Sequence, residues 1–383
     1  MIYLDNAATT YPKPRSVLEE TLRCMSRYGG NAGRGAHPLA MAAAEKIFEC
    51  RTLAAELFGV LEPERVCFTL NTTYGINVVL KGLLRRGDHV LISDMEHNAV
   101  YRPLCKLAEE RGITFDCFPS MVGIADANPT RICAGIAKRL RPETKMVVCT
   151  HSSNICSYTF PLREIGAFCH RHGLLFVVDA AQSAGHRRIH IGDMNVDALC
   201  VPGHKGLYGP QGCGMVLLGE GIVPDTLIEG GSGVHSLSGE MPEEGPERFE
   251  AGTLPTPAIA GLSEGIKDVM RTGMDEICNH EIALYRYLRE RLENMKGVIL
   301  YAPEYEGNTM LFNLEGIHSE TVGRRLAEMG ICVRSGYHCS KLGHETLGTP
   351  EGGAVRISFG RYNNCGEIEK VTRALSLVQK EKT

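Results

Sequence analysis

The sequence contains no apolar run approaching the ~20 residues needed to span a bilayer. Its opening residues, Met1-Ile2-Tyr3-Leu4-Asp5, lack the basic and apolar regions of a secretory signal. Both absences lead us to expect a cytoplasmic protein with no membrane partner. Neither sign of charge is in excess. A net charge of -4 and a pI near 6.4 leave no electrostatic case for nucleic acid or an anionic surface. Cysteine is plentiful, at 15 residues, yet no C-x-x-C pair occurs, which argues against a zinc ribbon, an iron–sulfur site or a thioredoxin-like motif. His190, His235 and His344 also lack partners at metal-ligand spacing, so no metal is expected. Cys67, Cys149 and Cys200 fall inside apolar runs as small core residues, which suits a reducing compartment.

What is present suits a soluble two-domain chain: 383 residues, 43% hydrophobic and 22% charged. From residue 65 onward, short runs rich in Val, Ile, Leu, Phe and Cys alternate with helical segments. The runs are 65–70, 89–93, 114–118, 145–150, 174–179, 198–201 and 215–218. Continuous apolar strands between helices imply an α/β fold whose mainly parallel, seven-stranded sheet is covered on both faces. Residues 229–257 carry much Gly, Pro, Ser and Glu and read as a long connector. Beyond it, helices at 258–272 and 276–295 lead into a smaller α+β unit, with strands at 298–301, 310–314, 331–334 and 354–359 and helices at 319–329 and 366–379. The expected division is a large domain at 16–250 and a small one made of 1–15 plus 251–383.

In such sheets ligands bind beyond the carboxyl ends of the strands. The segment Val201-Pro202-Gly203-His204-Lys205-Gly206 places a lysine between two buried strands, an odd position for a surface residue. A Schiff-base lysine holding pyridoxal phosphate (PLP) would explain it. PLP chemistry also needs an acid on the pyridine nitrogen, a stacking group and a phosphate cup. Asp179 ends the strand Leu174-Leu175-Phe176-Val177-Val178 and can serve as the acid; a helix N-cap is the plainer alternative. Thr72 and Thr73 stand where a strand gives way to a helix N-terminus, a setting for phosphate. His97 can stack on the ring or remain a solvated loop residue. Gln182, Asn154 and His204 are further donors to cofactor oxygens.

Five segments carry a resemblance: Leu4-Asp5-Asn6-Ala7-Ala8-Thr9-Thr10, Asn71-Thr72-Thr73-Tyr74-Gly75-Ile76-Asn77, Glu96-His97-Asn98-Ala99, Asp179-Ala180-Ala181-Gln182 and Gly203-His204-Lys205. In order and spacing they resemble the class V aminotransferase family over nearly the whole chain. Arg334-Ser335-Gly336-Tyr337-His338-Cys339 is similar to the R-x-G-x-H-C motif of its cysteine desulfurase and selenocysteine lyase branch. The resemblance implies the fold-type I PLP architecture, a homodimer and Lys205 as the imine lysine. It also implies that Thr253, in Phe249-Glu250-Ala251-Gly252-Thr253, reaches the partner's cofactor phosphate, and that Arg356 grips the substrate carboxylate. His37 resembles a position near the active site, with helix capping as the alternative. Pro202 departs from the serine often found before Gly-His-Lys, removing one hydroxyl from the phosphate side.

The expected chemistry follows from these parts. Lys205 exchanges with the amine of L-cysteine or selenocysteine and then takes the Cα proton, while Arg356 and Asn154 fix the substrate. Cys339 attacks the substrate sulfur as a thiolate and keeps it as a persulfide for a sulfur-acceptor protein. Arg334 and His338 would supply positive potential, and His97 would move the thiol proton. The flanking Gly, His and Ser mark Cys339 as a polar turn rather than another core cysteine. Selenocysteine lyase uses the same parts. Another class V aminotransferase or lyase would not need Cys339, and a non-catalytic dimeric scaffold would not need Lys205, Asp179 and Arg356 together.

Overall fold

The computed structural model describes residues 1–33 and 35–380; Arg34 and the last three residues lie outside this set. The first half runs β1 (Ile2–Tyr3), α1 (Arg15–Arg23), α2 (Pro38–Phe58), β2 (Val66–Thr69), α3 (Thr72–Leu83), β3 (His89–Ser93), α4 (Asn98–Arg111) and β4 (Thr114–Phe118). It continues through α5 (Pro129–Ala137), β5 (Thr144–Thr150), α6 (Leu162–Arg171), β6 (Leu175–Asp179), β7 (Ala198–Pro202) and β8 (Gly214–Leu218).

The strands β2 to β8 form one seven-stranded sheet in the order β2-β8-β7-β6-β5-β3-β4. Pairing is parallel from β7 through β4 and antiparallel where β8 meets β7 and β2. Successive side chains of a strand point to opposite faces, and both faces are covered. Val147, Phe176, Val178, Leu199 and Val201 pack with Ile47 and Cys50 of α2, Ile136 of α5 and Ile165 of α6. Val148, Val177, Ala198 and Cys200 pack on the other side with Ile76 and Leu80 of α3 and Leu104 of α4. Burial on both faces is why these strands show no polar alternation.

The second half comprises α7 (Thr256–Thr272), α8 (Met274–Glu293), β9 (Val298–Tyr301), β10 (Thr309–Leu314), α9 (Ser319–Glu328) and β11 (Ile331–Cys332). It ends with β12 (Arg334–Gly336), α10 (Lys341–Leu347), β13 (Ala354–Ser358) and α11 (Cys365–Lys380). Strands β12-β13-β10-β9 make an antiparallel sheet under α8, α9 and α11, around Leu284, Phe312, Leu326, Val355 and Leu375. The N-terminal arm joins this unit: β1 pairs with β11, and Leu4 is buried in the same core.

Two expectations change here. The single strand read at 331–334 divides, because Ile331–Cys332 pairs with the arm while Arg334–Gly336 pairs with β13. Helix α7 was grouped with the small domain, yet Ile259, Leu262 and Ile266 are buried in the first core. A Cβ on Gly265 would meet the Leu207 carbonyl oxygen at 2.2 Å, so glycine lets α7 lie against the backbone that follows Lys205. The 251–383 grouping therefore spans both cores.

Candidate active site

Beyond the carboxyl ends of β3, β5, β6 and β7, a cleft is lined by Asn71, Thr72, Thr73, His97, Ala99, Thr150, Asn154, Asp179, Ala181, Gln182, Pro202, His204 and Lys205. Every cofactor-binding candidate except Thr253 is in it. Lys205 occupies the turn after β7, and the N-terminal arm clamps that turn. The Thr10 hydroxyl donates to the Lys205 carbonyl at 3.0 Å, and Thr9 and Lys13 donate to the His204 carbonyl at 3.1 and 2.6 Å. His204 Nδ1 lies 3.1 Å from the Thr9 hydroxyl. Desolvation lowers the Lys205 ammonium to about 8, with Arg356 adding to the fall and Asp179 opposing it. A lysine of that acidity has an appreciable neutral fraction near pH 7, as a nucleophilic amine requires.

Asp179 is buried at the end of β6, and burial raises its carboxyl above the usual range. One oxygen accepts from the Ala181 amide at 2.8 Å, fixing the carboxyl in a turn; no helix lies between β6 and β7 among the described residues, so the N-cap alternative does not hold. A buried carboxylate gains most from a cation beside it, and a pyridinium nitrogen is one. At the opposite wall, Asn71 caps α3 by accepting from the Tyr74 amide at 3.0 Å. The Thr72 hydroxyl in the first turn is buried and has no hydrogen-bond partner among the described residues. An orphaned hydroxyl at a helix N-terminus is a seat for phosphate oxygens. The donor set thus fits PLP.

His97 caps α4, its Nδ1 accepting from the Ala99 amide at 3.0 Å. Burial first, then Lys205, Arg356 and Arg102, hold the ring's pKa down to about 4. A neutral ring with Nδ1 committed suits stacking and donation from Nε2. It is poorly placed to accept a thiol proton, so the expected proton-moving role for His97 is withdrawn. Gln182 donates its amide to the Ala7 carbonyl at 2.9 Å, tying the cleft to the arm.

Arg356, on β13, is almost wholly buried. It donates to Asp5 at 2.9 Å and to the Asn154 carbonyl at 2.9 Å, leaving Nε without a partner among the described residues. Arg334 grips the same Asp5 with two nitrogens at 2.8 and 3.0 Å. Asp5 is therefore the shared counter-charge of Arg334 and Arg356.

Cys339 is exposed on the turn between β12 and α10, and that turn is docked on the cleft rim. Its carbonyl accepts from the Asn98 amide at 2.7 Å, next to His97, and the His338 carbonyl accepts from the Asn154 side chain at 2.8 Å. Asn154 thus spends its amide on the cysteine turn. His338 corrects the expectation of a cation: burial holds its pKa down to about 3, with Arg356 adding to the fall, so the ring is neutral. Positive potential at the thiol is left to Arg334.

Two candidates lie elsewhere. His37 is exposed and caps α2, its Nδ1 accepting from the Ala40 amide at 3.3 Å, so the capping alternative describes it. Thr253 is exposed on a groove of about 650 Å³ formed with 231–233 and α2, apart from the cleft of its own chain.

A twice-covered sheet with a lysine, an aspartate and an orphaned threonine hydroxyl facing one cleft defines a PLP-dependent enzyme. The profile described as Aminotransferase class-V matches residues 2–371, and the chain belongs to that family. It is 33% identical over 382 residues to a probable cysteine desulfurase of Methanothermobacter thermautotrophicus, covering 98% of this chain and 94% of that one. It is 31% identical over 390 residues to a cysteine desulfurase of Salmonella agona, covering 99% and 94%. Among solved structures, it superposes on an apo cysteine desulfurase of Thermococcus onnurineus with a TM-score of 0.88, at 31% identity and covering 99% and 95%.

Proposed function

We propose that the chain is a PLP-dependent cysteine desulfurase that converts L-cysteine to L-alanine and retains the sulfur on Cys339. The observation that carries this reading is the docking of the Cys339 turn, through Asn98 and Asn154, on the rim of the cleft that holds Lys205. The relatives named as cysteine desulfurases support it.

When bound, the cofactor supplies an electron sink for the substrate Cα. Thr72 and the start of α3 would hold its phosphate, Asp179 would serve its ring nitrogen, and His97 would support its ring. Arg356 holds the substrate carboxylate through the part of its fork that Asp5 leaves free. Lys205, as a free amine, takes the Cα proton. The Cys339 thiolate then attacks the substrate sulfur: the S–S bond forms as the Cβ–S bond breaks, and its electron pair stays with the substrate carbon. Cβ takes up one proton and Cα regains one, giving alanine, and Cys339 carries a persulfide; no outside oxidant is needed.

A homodimer accounts for Thr253, which serves the partner's site across the 231–233 groove, and an acceptor protein removes the persulfide sulfur. Incubation with L-cysteine and a thiol tests the activity. Alanine and sulfide are expected in equal amounts, and alanine without sulfide contradicts it.

A further inference from the structure

Behind Cys339 lies a chain of polar side chains that the proposed chemistry does not use. His338 Nε2 is 3.2 Å from the Arg334 carbonyl, His338 Nδ1 is 3.0 Å from His344 Nε2, and His344 Nδ1 is 2.8 Å from the Thr349 hydroxyl. A carbonyl can only accept, which fixes the protons along the chain. His338 must carry its proton on Nε2, so its Nδ1 is an acceptor. His344 must then donate from Nε2 and accept the Thr349 hydroxyl proton at Nδ1. Both rings are buried and stacked 10° from parallel, with His344 only 3% exposed. Burial keeps both neutral, as the pattern requires, since an extra proton on either ring would break one link.

The chain supports a backbone that needs support. His338 and Cys339 are successive non-glycine residues with φ of 50° and 55°. The left-handed region is unfavourable for side chains with a Cβ, and it persists where surrounding contacts enforce it. His344 lies on α10, which is fastened to the large sheet where Thr346 donates to the Asp94 carbonyl at 3.1 Å, just past β3. The imidazole pair therefore links the thiol turn to the sheet that carries the cleft.

We propose that His344 is a positioning residue for Cys339, acting through His338 to hold the left-handed turn that presents the thiol to the cleft. The inference rests on the desulfurase reading of Cys339. Leucine at 344 fills the space without a donor, whereas glutamine keeps an N–H for His338.

The test compares His344→Leu and His344→Gln with the parent, all loaded with PLP. Exchange of the L-alanine α-proton into D2O uses Lys205 and Arg356 but not the thiol, and it is expected to stay within about twofold in both variants. Persulfide formation at Cys339 from L-cysteine is expected to fall by about tenfold or more in His344→Leu and to recover largely in His344→Gln. Amide hydrogen exchange at 337–341 is expected to quicken by about tenfold in the leucine variant alone. Parent-like sulfur transfer and exchange protection in His344→Leu would overturn the proposal. A parallel loss of α-proton exchange would also overturn it, by showing general damage. If the parent itself forms no persulfide, the desulfurase reading fails and takes this proposal with it, an outcome distinct from a parent-like leucine variant.

Discussion

The carboxylate of Asp5 lies 2.9 Å from the guanidinium of Arg356, with side-chain exposures of 11% and 3%. It also holds Arg334 at 2.8 Å. The arm that carries Asp5 thus holds both arginines in place, and is itself fixed by β1 on β11 and by the Ser358 amide donating to the Leu4 carbonyl at 2.8 Å. One carboxylate bridges and orients two guanidinium groups, offsetting only one of their two positive charges.

Removing that charge strands a buried cation. Asp5→Asn is expected to lower unfolding stability by about 3 kcal/mol, the usual cost of breaking a buried pair by deleting one partner. Urea denaturation reads the change, and an unaltered midpoint would show that Arg356 does not depend on Asp5.

The lysine predicts a pH profile. Lys205 reacts with the cofactor aldehyde only as the neutral amine, and burial brings its pKa to about 8 from 10.5. Lowering the pKa of a cation enlarges the neutral fraction at a given pH. The rate at which apoprotein takes up PLP should therefore rise through pH 8 and level off above it, followed by the visible absorbance of the lysine-bound cofactor. A rise centred near pH 10.5 would mean that the turn is open to solvent.

The phosphate seat predicts an affinity change. Thr72→Val keeps the shape of the side chain and removes the orphaned hydroxyl. A hydrogen bond to a charged group contributes about 1.5–3 kcal/mol, so PLP affinity should fall by roughly ten- to a hundredfold. Equilibrium dialysis of the cofactor measures it; unchanged affinity would place the phosphate elsewhere.

Much of this site was legible in the sequence, for physical reasons. Strands buried on both faces leave uninterrupted Val, Ile, Leu and Cys, so the sheet and the turns at its carboxyl ends could be placed. Lys205, Asp179 and Thr72 stand on those turns and meet in one cleft. Asp5 was not legible as a partner, because its role depends on an arm crossing to strands more than 300 positions away. His344 shows no motif spacing to His338; α10, too short to show a helical period, brings the rings together. His338 looked like a cation, because burial cannot be read from one residue. Helix α7 was misgrouped, because Gly261 and Gly265, which let it approach, look like mere helix weakeners in sequence.

Glu96 is a further residue that pattern did not reveal. It is wholly buried, accepts from the Thr150 amide at 2.6 Å, and burial, with the Asp179 charge adding, pushes its carboxyl up to about 8. The folded protein therefore holds a proton that the unfolded chain releases above its ordinary carboxyl range, near 4.5. The folded state binds more protons between those values, so this group makes stability fall as pH rises from about 4.5 toward 8. Glu96→Gln, a close mimic of the protonated acid, should flatten that slope. Denaturation curves at pH 5 and 8 decide it, and an unchanged slope would mean that Glu96 is ionised in the fold.

In the proposed function Lys205 activates the amino acid and Cys339 takes its sulfur. The most direct measurement is intact-protein and peptide mass analysis after one turnover with L-cysteine, comparing the parent with Cys339→Ser. One added sulfur on the Cys339 peptide and one alanine released per site are expected, with neither product from the serine variant despite normal PLP binding. Equal alanine release from the two proteins, or sulfur found on another cysteine, would contradict it.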